Sequence, residues 1–262
     1  MILAFDVGNT ETTIGLFDEL ELRAHWRLTT DGARTSDEVG LDLRALLASV
    51  DVNPALVLGA AIASVVPPVT GPLTVACIEW LGVKPTIIDG ASPLPITLQV
   101  DEPLTVGADR IVNTLAASRL YREDAIVVDL GTATTFDCIT ANGVFLGGVI
   151  MPGVRTSAET LIRRTSKLPA TDLVAPRKVI GTRTEDCIRS GVMLGNAEAI
   201  DGIVRRIRAE WPGGRRPICV ATGGLAEQFK ALCTSFDRVE PSLTLQGIRL
   251  AHAHLTNGLE RG

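Results

Sequence analysis

Residues 3–12 read Leu3-Ala4-Phe5-Asp6-Val7-Gly8-Asn9-Thr10-Glu11-Thr12, and the same design returns as Ile126-Val127-Val128-Asp129-Leu130-Gly131-Thr132-Ala133-Thr134-Thr135. Each copy is an apolar run, then Asp-x-Gly, then hydroxyl residues. The apolar run reads as a buried strand. Glycine permits a tight turn that a side chain would block. The hydroxyls and the backbone N–H groups past the turn suit a phosphate chain, and the aspartate suits a hard cation that travels with phosphate. A single copy is equally a polar β-turn whose Asp satisfies local N–H groups. Two copies on equivalent strands point to function, against the background rate at which short motifs recur by chance. Facing each other, two such turns would form a cleft that holds a nucleotide from both sides.

Outward from the first copy, residues 14–17 and 22–28 read as strands around an Asp18-Glu19 turn. Ser36-Asp37-Glu38 starts a helix with an acidic first turn, and Leu41, Leu43, Leu46 and Leu47 fall near its 3.6 period. Residues 57–66 read as a buried strand, ended by Pro67-Pro68; 71–81 read as a helix and 85–89 as a strand. The proline-punctuated stretch 93–103 leads into Gly107-Ala108-Asp109-Arg110-Ile111-Val112-Asn113 and a helix that ends near Tyr121. From Ala125 the plan restarts. Strands at 136–140 and 144–150 are joined by an Asn142-Gly143 turn. Helices follow over 156–164 and 185–208, then a strand at 218–221 that runs into Thr222-Gly223-Gly224. Each half opens on a three-strand meander and then alternates helix and strand. The expected fold is therefore α/β, with two similar domains, each a mixed sheet flanked by helices. The join is expected in the helix around 114–122, dividing the chain into 1–118 and 119–262.

Bulk properties narrow the function. An apolar content of 46% over 262 residues supports a sizeable core. The formal charge is −5 with both signs interspersed, which argues against a nucleic-acid-binding face. The longest apolar run, 55–66, is too short to span a bilayer. No charged n-region and cleavage site precede the first strand, so no secretory signal is expected. Cys77, Cys138, Cys187, Cys219 and Cys233 are odd in number and lack any C-x-x-C pair, and they read as reduced thiols of a cytoplasmic protein. The sequence contains no G-x-x-x-x-G-K-[ST], G-x-G-x-x-G or G-x-S-x-G. His25 stands alone, and His252 and His254, two apart, would not share a helix face; they read as solvated residues.

Two further groups could do chemistry. Asp109 is either a helix N-cap beside a surface Arg110, or a carboxylate kept ionised by a helix N-terminus and free to accept a proton from an attacking hydroxyl. Arg110 could then pair with a substrate carboxylate or phosphate. Thr222-Gly223-Gly224 either lets a flat ring or phosphate approach or simply begins a helix.

Asp-Val-Gly-Asn-Thr at 6–10, Gly-Ala-Asp-Arg-Ile-Val-Asn at 107–113, Asp-Leu-Gly-Thr-Ala-Thr-Thr at 129–135 and Gly147-Gly148-Val149-Ile150-Met151-Pro152-Gly153 occur in one order. Together they resemble the type III pantothenate kinases, members of the acetate and sugar kinase, heat-shock chaperone and actin superfamily. The resemblance runs from Met1 to about Ala251. It implies two ribonuclease-H-like, actin-like domains with the active site in the cleft between them. It also implies ATP-dependent phosphorylation of pantothenate to 4'-phosphopantothenate, the first step of coenzyme A biosynthesis. In this resemblance Asp6, Val7, Gly8, Asn9, Thr10, Glu11, Thr12 and Thr13 hold the ATP phosphates, with Asp6 beside Mg²⁺, and Thr132 contacts ATP from the second turn. Asp109 is the proton acceptor, and Gly107, Ala108, Asp109 and Arg110 line the pantothenate pocket. Asp129 is a ligand of a monovalent cation, K⁺ or NH₄⁺. Thr184 is a pantothenate contact supplied across the interface of a homodimer. The resemblance also implies a cytoplasmic enzyme with no nucleic-acid or membrane partner. Val100 stands where many members carry a Tyr. Alternatives on the same scaffold are a non-catalytic regulatory homologue and a kinase of another small hydroxy acid; intact Asp6, Asp109 and Asp129 count against the former.

Overall fold

The computed structural model describes residues 1–259. The chain forms two compact units, one of residues 1–116 together with the chain from Leu243 onward, the other of residues 117–242.

In the first unit, β1 (Ile2–Val7), β2 (Glu11–Asp18) and β3 (Glu21–Thr29) make an antiparallel meander. α1 (Ser36–Ala48) follows, then β4 (Gly59–Ser64), α2 (Pro67–Leu81), β5 (Thr86–Ile88), the two-residue β6 (Thr97–Leu98) and α3 (Ala108–Leu120), whose residues 117–120 belong to the second unit. The sheet order is β3-β2-β1-β4-β5, and β4 and β5 run parallel to β1 and to each other. Strand alternation sorts the residues between the two faces. Leu3, Phe5 and Val7 pack under α1 and α2 with Leu43, Leu47 and Leu73. Ala4, Ala61 and Ala63 face the other way, onto Ile111, Val112 and Leu115 of α3. Thr35 caps α1 in a reciprocal pair with Glu38, whose carboxylate is held below its usual range by the Thr35 N–H and hydroxyl.

Three local expectations shift. The strand expected over 57–66 is β4, Gly59–Ser64, and Leu58 stands exposed before it. Pro67 and Pro68 start α2 instead of merely ending a strand; in a first helical turn their missing N–H groups have no intrahelical partner to lose. The third shift is α7 (Leu243–Leu259), which the sequence reading did not foresee. It packs Leu245, Ile248 and Ala251 on the small side chains of β1 and β4. The division expected at 119–262 therefore differs at its C-terminal end, where α7 returns to the first unit; residues 260–262 of that range lie outside the described residues. His25 and His254 are exposed, but His252 is buried on this face, with Nδ1 3.1 Å from Thr86 Oγ1 and Nε2 against Gly59.

The second unit repeats the meander as β7 (Ala125–Leu130), β8 (Ala133–Ile139) and β9 (Val144–Pro152). α4 (Val154–Arg163), α5 (Thr184–Glu210), β10 (Ile218–Thr222), the short α6 (Ala226–Phe229) and β11 (Arg238–Val239) follow. Within this unit the strand order is β11-β10-β7-β8-β9, with β10 parallel to β7. Ile126, Val128, Leu130 and Phe136 pack against α5 through Met193, Ala197, Ile200 and Val204, a stripe at helical spacing. Each of the larger of these buried side chains contributes about 1.5–3 kcal/mol of transfer free energy.

Candidate active site

The first Asp-x-Gly corner ends β1. Asp6 pairs with Thr13 and Val7 with Thr12, so Gly8, Asn9, Thr10 and Glu11 make the turn. The Gly8 N–H closes it on Glu11 O at 3.1 Å. Asn9, Thr10 and Glu11 are exposed, and Asp6 and Thr13 are half-buried at its base. Val7 and Thr12 turn inward: Val7 is core, and Thr12 Oγ1 lies 2.9 Å from Thr30 Oγ1. Thr30 donates its own proton to Gly8 O at 2.7 Å, so Thr12 is the donor to Thr30. The Thr30 N–H also reaches Thr10 O at 2.9 Å.

Asp109 lies on the same unit. α3 begins at Ala108, so Asp109 sits inside the first helical turn and is not the cap residue. Helix N–H groups without intrahelical partners favour an anion there. Its Oδ1 accepts from the Arg110 N–H at 2.9 Å and folds back over Gly107, where a β-carbon would overlap it. Gly107 is therefore required for the carboxylate's pose. Asp109 and Arg110 are both half-buried. Val65 links this helix start to the first corner. Its N–H donates to Val7 O at 3.1 Å, and its Cγ1 would lie 3.4 Å from a β-carbon on Gly107. The corner and Asp109 thus share the edge where the parallel strands end, the side on which open α/β sheets bind ligands.

α3 is in turn held by α7. Val112 O lies so close to Gly247 that any β-carbon there would overlap it, and Thr244 Oγ1 donates to buried Asn113 Oδ1 at 3.0 Å. Asn113, the last residue of the Gly-Ala-Asp-Arg-Ile-Val-Asn stretch, is a structural tie.

The second corner ends β7. Asp129 pairs with Thr135 and Leu130 with Thr134, leaving Gly131, Thr132 and Ala133 in the turn. The two corners are therefore one residue out of step, and Thr135 is the positional equivalent of Thr13. Asp129 is half-buried and Thr132 exposed. Across the parallel pairing, Thr222 stands beside Asp129. Gly223 follows with φ +90°; a β-carbon there would overlap Asp129 Oδ1 and come within 2.7 Å of Leu130 N. Thr222-Gly223-Gly224 is thus neither a mere helix start nor an open platform at Gly223: it packs on the carboxylate. Behind Thr132, the Gly153 N–H and Thr156 Oγ1 both donate to Thr132 O, at 3.2 and 2.7 Å.

Thr184 is exposed at the first turn of α5. It lines a separate open pocket of about 520 Å³ with Ser157, Leu161, Cys187, Ile188 and Val192. Burial pushes the Cys77, Cys219 and Cys233 thiols up to about 12, which leaves them un-ionised, whereas Cys187 is exposed. Among the described residues no cluster of three His, Cys, Asp or Glu could hold a metal. A cation at either corner would draw its other ligands from substrate, hydroxyl or backbone oxygens. Among the described residues no helix is long and apolar enough to cross a membrane.

Two mixed α/β sheets flanked by helices, each opening on an Asp-x-Gly hairpin corner, define the actin-like class of two-domain folds. Solved structures agree on the fold. A Campylobacter jejuni protein named for the Baf family of transcriptional activators superposes with TM-score 0.59 at 19% identity, covering 97% of this chain and 99% of the other. Component A of the (R)-2-hydroxyglutaryl-CoA dehydratase of Acidaminococcus fermentans gives TM-score 0.57 at 15% identity, covering 99% and 98%. The family model for type III pantothenate kinase matches residues 2–206. A type III pantothenate kinase of Roseiflexus castenholzii is 45% identical over 96% of this chain and 98% of its own length, and one of Moorella thermoacetica 42% over 98% and 100%. The chain belongs to the type III pantothenate kinase family.

Proposed function

We propose that the protein transfers the γ-phosphoryl group of Mg²⁺-ATP to the terminal hydroxyl of pantothenate, giving 4'-phosphopantothenate and ADP as the first step towards coenzyme A. One observation carries the assignment of Asp109 as base: its half-buried carboxylate shares the sheet edge of the Asp6 corner, joined to it through Val65. The Asp6–Thr13 run and Thr132 hold the phosphates. Gly107, Ala108 and Arg110 line the pantothenate pocket, and Arg110 is suited to an anionic group of the substrate. As the hydroxyl oxygen forms its bond to the γ-phosphorus, the bond from that phosphorus to the bridging oxygen breaks and ADP leaves. The hydroxyl proton passes to Asp109, and a strong base is unnecessary because the transition state is loose.

Asp6, half-buried at the end of β1, fits a Mg²⁺ ion that takes most of its ligands from phosphate and water; that ion supplies charge neutralisation on the phosphates. Asp129, packed against Gly223, fits a K⁺ or NH₄⁺ ion. Thr184 and its pocket fit a contact completed by the second subunit of a homodimer, in a cytoplasmic enzyme. The acidic composition, with its formal charge of −5, gives no basis for a nucleic-acid-binding regulator.

A coupled assay with pantothenate, ATP and Mg²⁺, run in K⁺ and then in Na⁺, tests the reading. ADP release that depends on pantothenate and is faster in K⁺ is expected. Folded protein with no pantothenate-dependent turnover in either salt would overturn it.

A further inference from the structure

Both Asp-x-Gly corners are held by a threonine hydroxyl from outside the motif, and in each case the hydroxyl grips a turn carbonyl. Thr30, one residue past β3, donates to Gly8 O at 2.7 Å. Thr156, in the first turn of α4, donates to Thr132 O at 2.7 Å. The two threonines come from unrelated elements, a strand end and a helix start, yet each meets a backbone carbonyl of its turn: that of the motif glycine at the first corner, and that of the residue after the motif glycine at the second.

The consequence follows from peptide geometry. A trans peptide is planar, with its C=O and the following N–H pointing in opposite directions, and the described residues contain no cis peptide. Drawing Gly8 O towards Thr30 turns the Asn9 N–H the other way. Drawing Thr132 O towards Thr156 and the Gly153 N–H turns the Ala133 N–H the other way. A flexible Gly-containing turn could flip either peptide and present a carbonyl, which would repel phosphate. We infer that Thr30 and Thr156 are positioning residues for the nucleotide: each hydroxyl locks one turn peptide so that its N–H, and not its C=O, is offered to the phosphates. Their role rests on the phosphotransfer proposed above and acts through the turns, without contact to the substrate. Thr30 is further fixed by the buried hydroxyl of Thr12, which donates to it.

Thr30→Val and Thr156→Val keep the side-chain shape and remove the hydroxyl; Thr30→Ser and Thr156→Ser restore the hydroxyl and remove the methyl. Calorimetric titration with Mg²⁺ and a non-hydrolysable ATP analogue reads the clamps without requiring transfer. Steady-state kinetics then supplies the KM values for ATP and pantothenate. Each Val variant is expected to bind the analogue about five- to tenfold more weakly and to raise KM for ATP to match. KM for pantothenate stays near wild type, and each Ser variant returns to wild type. Wild-type affinity in both Val variants would overturn the inference, as would equal loss in Val and Ser or a parallel rise in the KM for pantothenate. Analogue binding by wild-type protein that makes no phosphopantothenate would instead sink the assigned reaction and leave the clamps to be judged on binding alone.

Discussion

The two corners begin as one sequence pattern and end as different devices. At the first, four residues bridge the strands, and the neighbours are Thr30, Val65 and the start of α3 with Asp109. At the second, three residues bridge them, and the neighbours are Gly153, Thr156 and Gly223. The Asp of the first corner has a potential base on its own unit. The Asp of the second is pressed against a glycine in a left-handed conformation. A duplicated strand and turn therefore fix only where a carboxylate and a set of N–H groups stand. The elements that later pack on the turn decide what the carboxylate can serve.

That contrast can be broken most sharply at the two aspartates. Asp6→Asn removes the carboxylate assigned to Mg²⁺, and kcat is expected to fall about 100-fold or more. Asp129→Asn should leave the rate in Na⁺ nearly unchanged and abolish the extra rate in K⁺. Equal losses in both salts for the two variants would erase the division of labour.

Glycine substitutions sharpen it next. Gly223→Ala must strain a residue at φ +90° and push on Asp129, so a cost of about 1–3 kcal/mol is expected in denaturant melts. Gly131 is different: a β-carbon there would lie 3.6 Å from Ala133 O, ordinary contact. Gly131→Ala should change stability by less than about 0.5 kcal/mol, while ATP affinity falls about tenfold, about 1.4 kcal/mol, because the methyl fills space the phosphate needs. At Gly8 the corresponding contact is 3.0 Å to Glu11 O, so Gly8→Ala should lose stability as well as affinity. Identical melts for Gly8→Ala and Gly131→Ala would show that the extra residue of the first turn does not tighten it.

The smallest effect concerns α7, which packs on β1 and β4 of the first unit. Burial holds the His252 pKa below its ordinary value near 6.5. The unfolded chain then binds the proton more readily than the folded one, so stability is full above about pH 6.5 and declines as pH falls towards the lowered folded value. His252→Gln should flatten that decline in melts taken across the range. An unchanged slope would show that His252 does not report on α7 docking.

Much of this was legible in the chain. The meanders, their turns and the helix start at Asp109 follow from alternation, Asp-x-Gly and the hydroxyl run, which are local signals. α7 was not foreseen. Its stripe of Leu245, Ile248 and Ala251 has helical spacing, but nothing local says that it returns to β1 and β4, and that return is what buries His252. Thr30 and Thr156 were missed for the same reason. A hydroxyl whose partner is the carbonyl of Gly8 or Thr132 leaves no spacing pattern to read. The Thr222-Gly223-Gly224 element stayed ambiguous because its requirement for glycine comes from Asp129, a neighbour across the sheet.

The central claim is that Asp109 takes the proton from the pantothenate hydroxyl while the corners hold the nucleotide. Single-turnover transfer from radiolabelled ATP, with wild type and Asp109→Asn side by side in Mg²⁺ and K⁺, tests it directly. The expected result is a loss of at least about 100-fold in the transfer rate for Asp109→Asn with nucleotide affinity unchanged. Transfer by Asp109→Asn at the wild-type rate would contradict it.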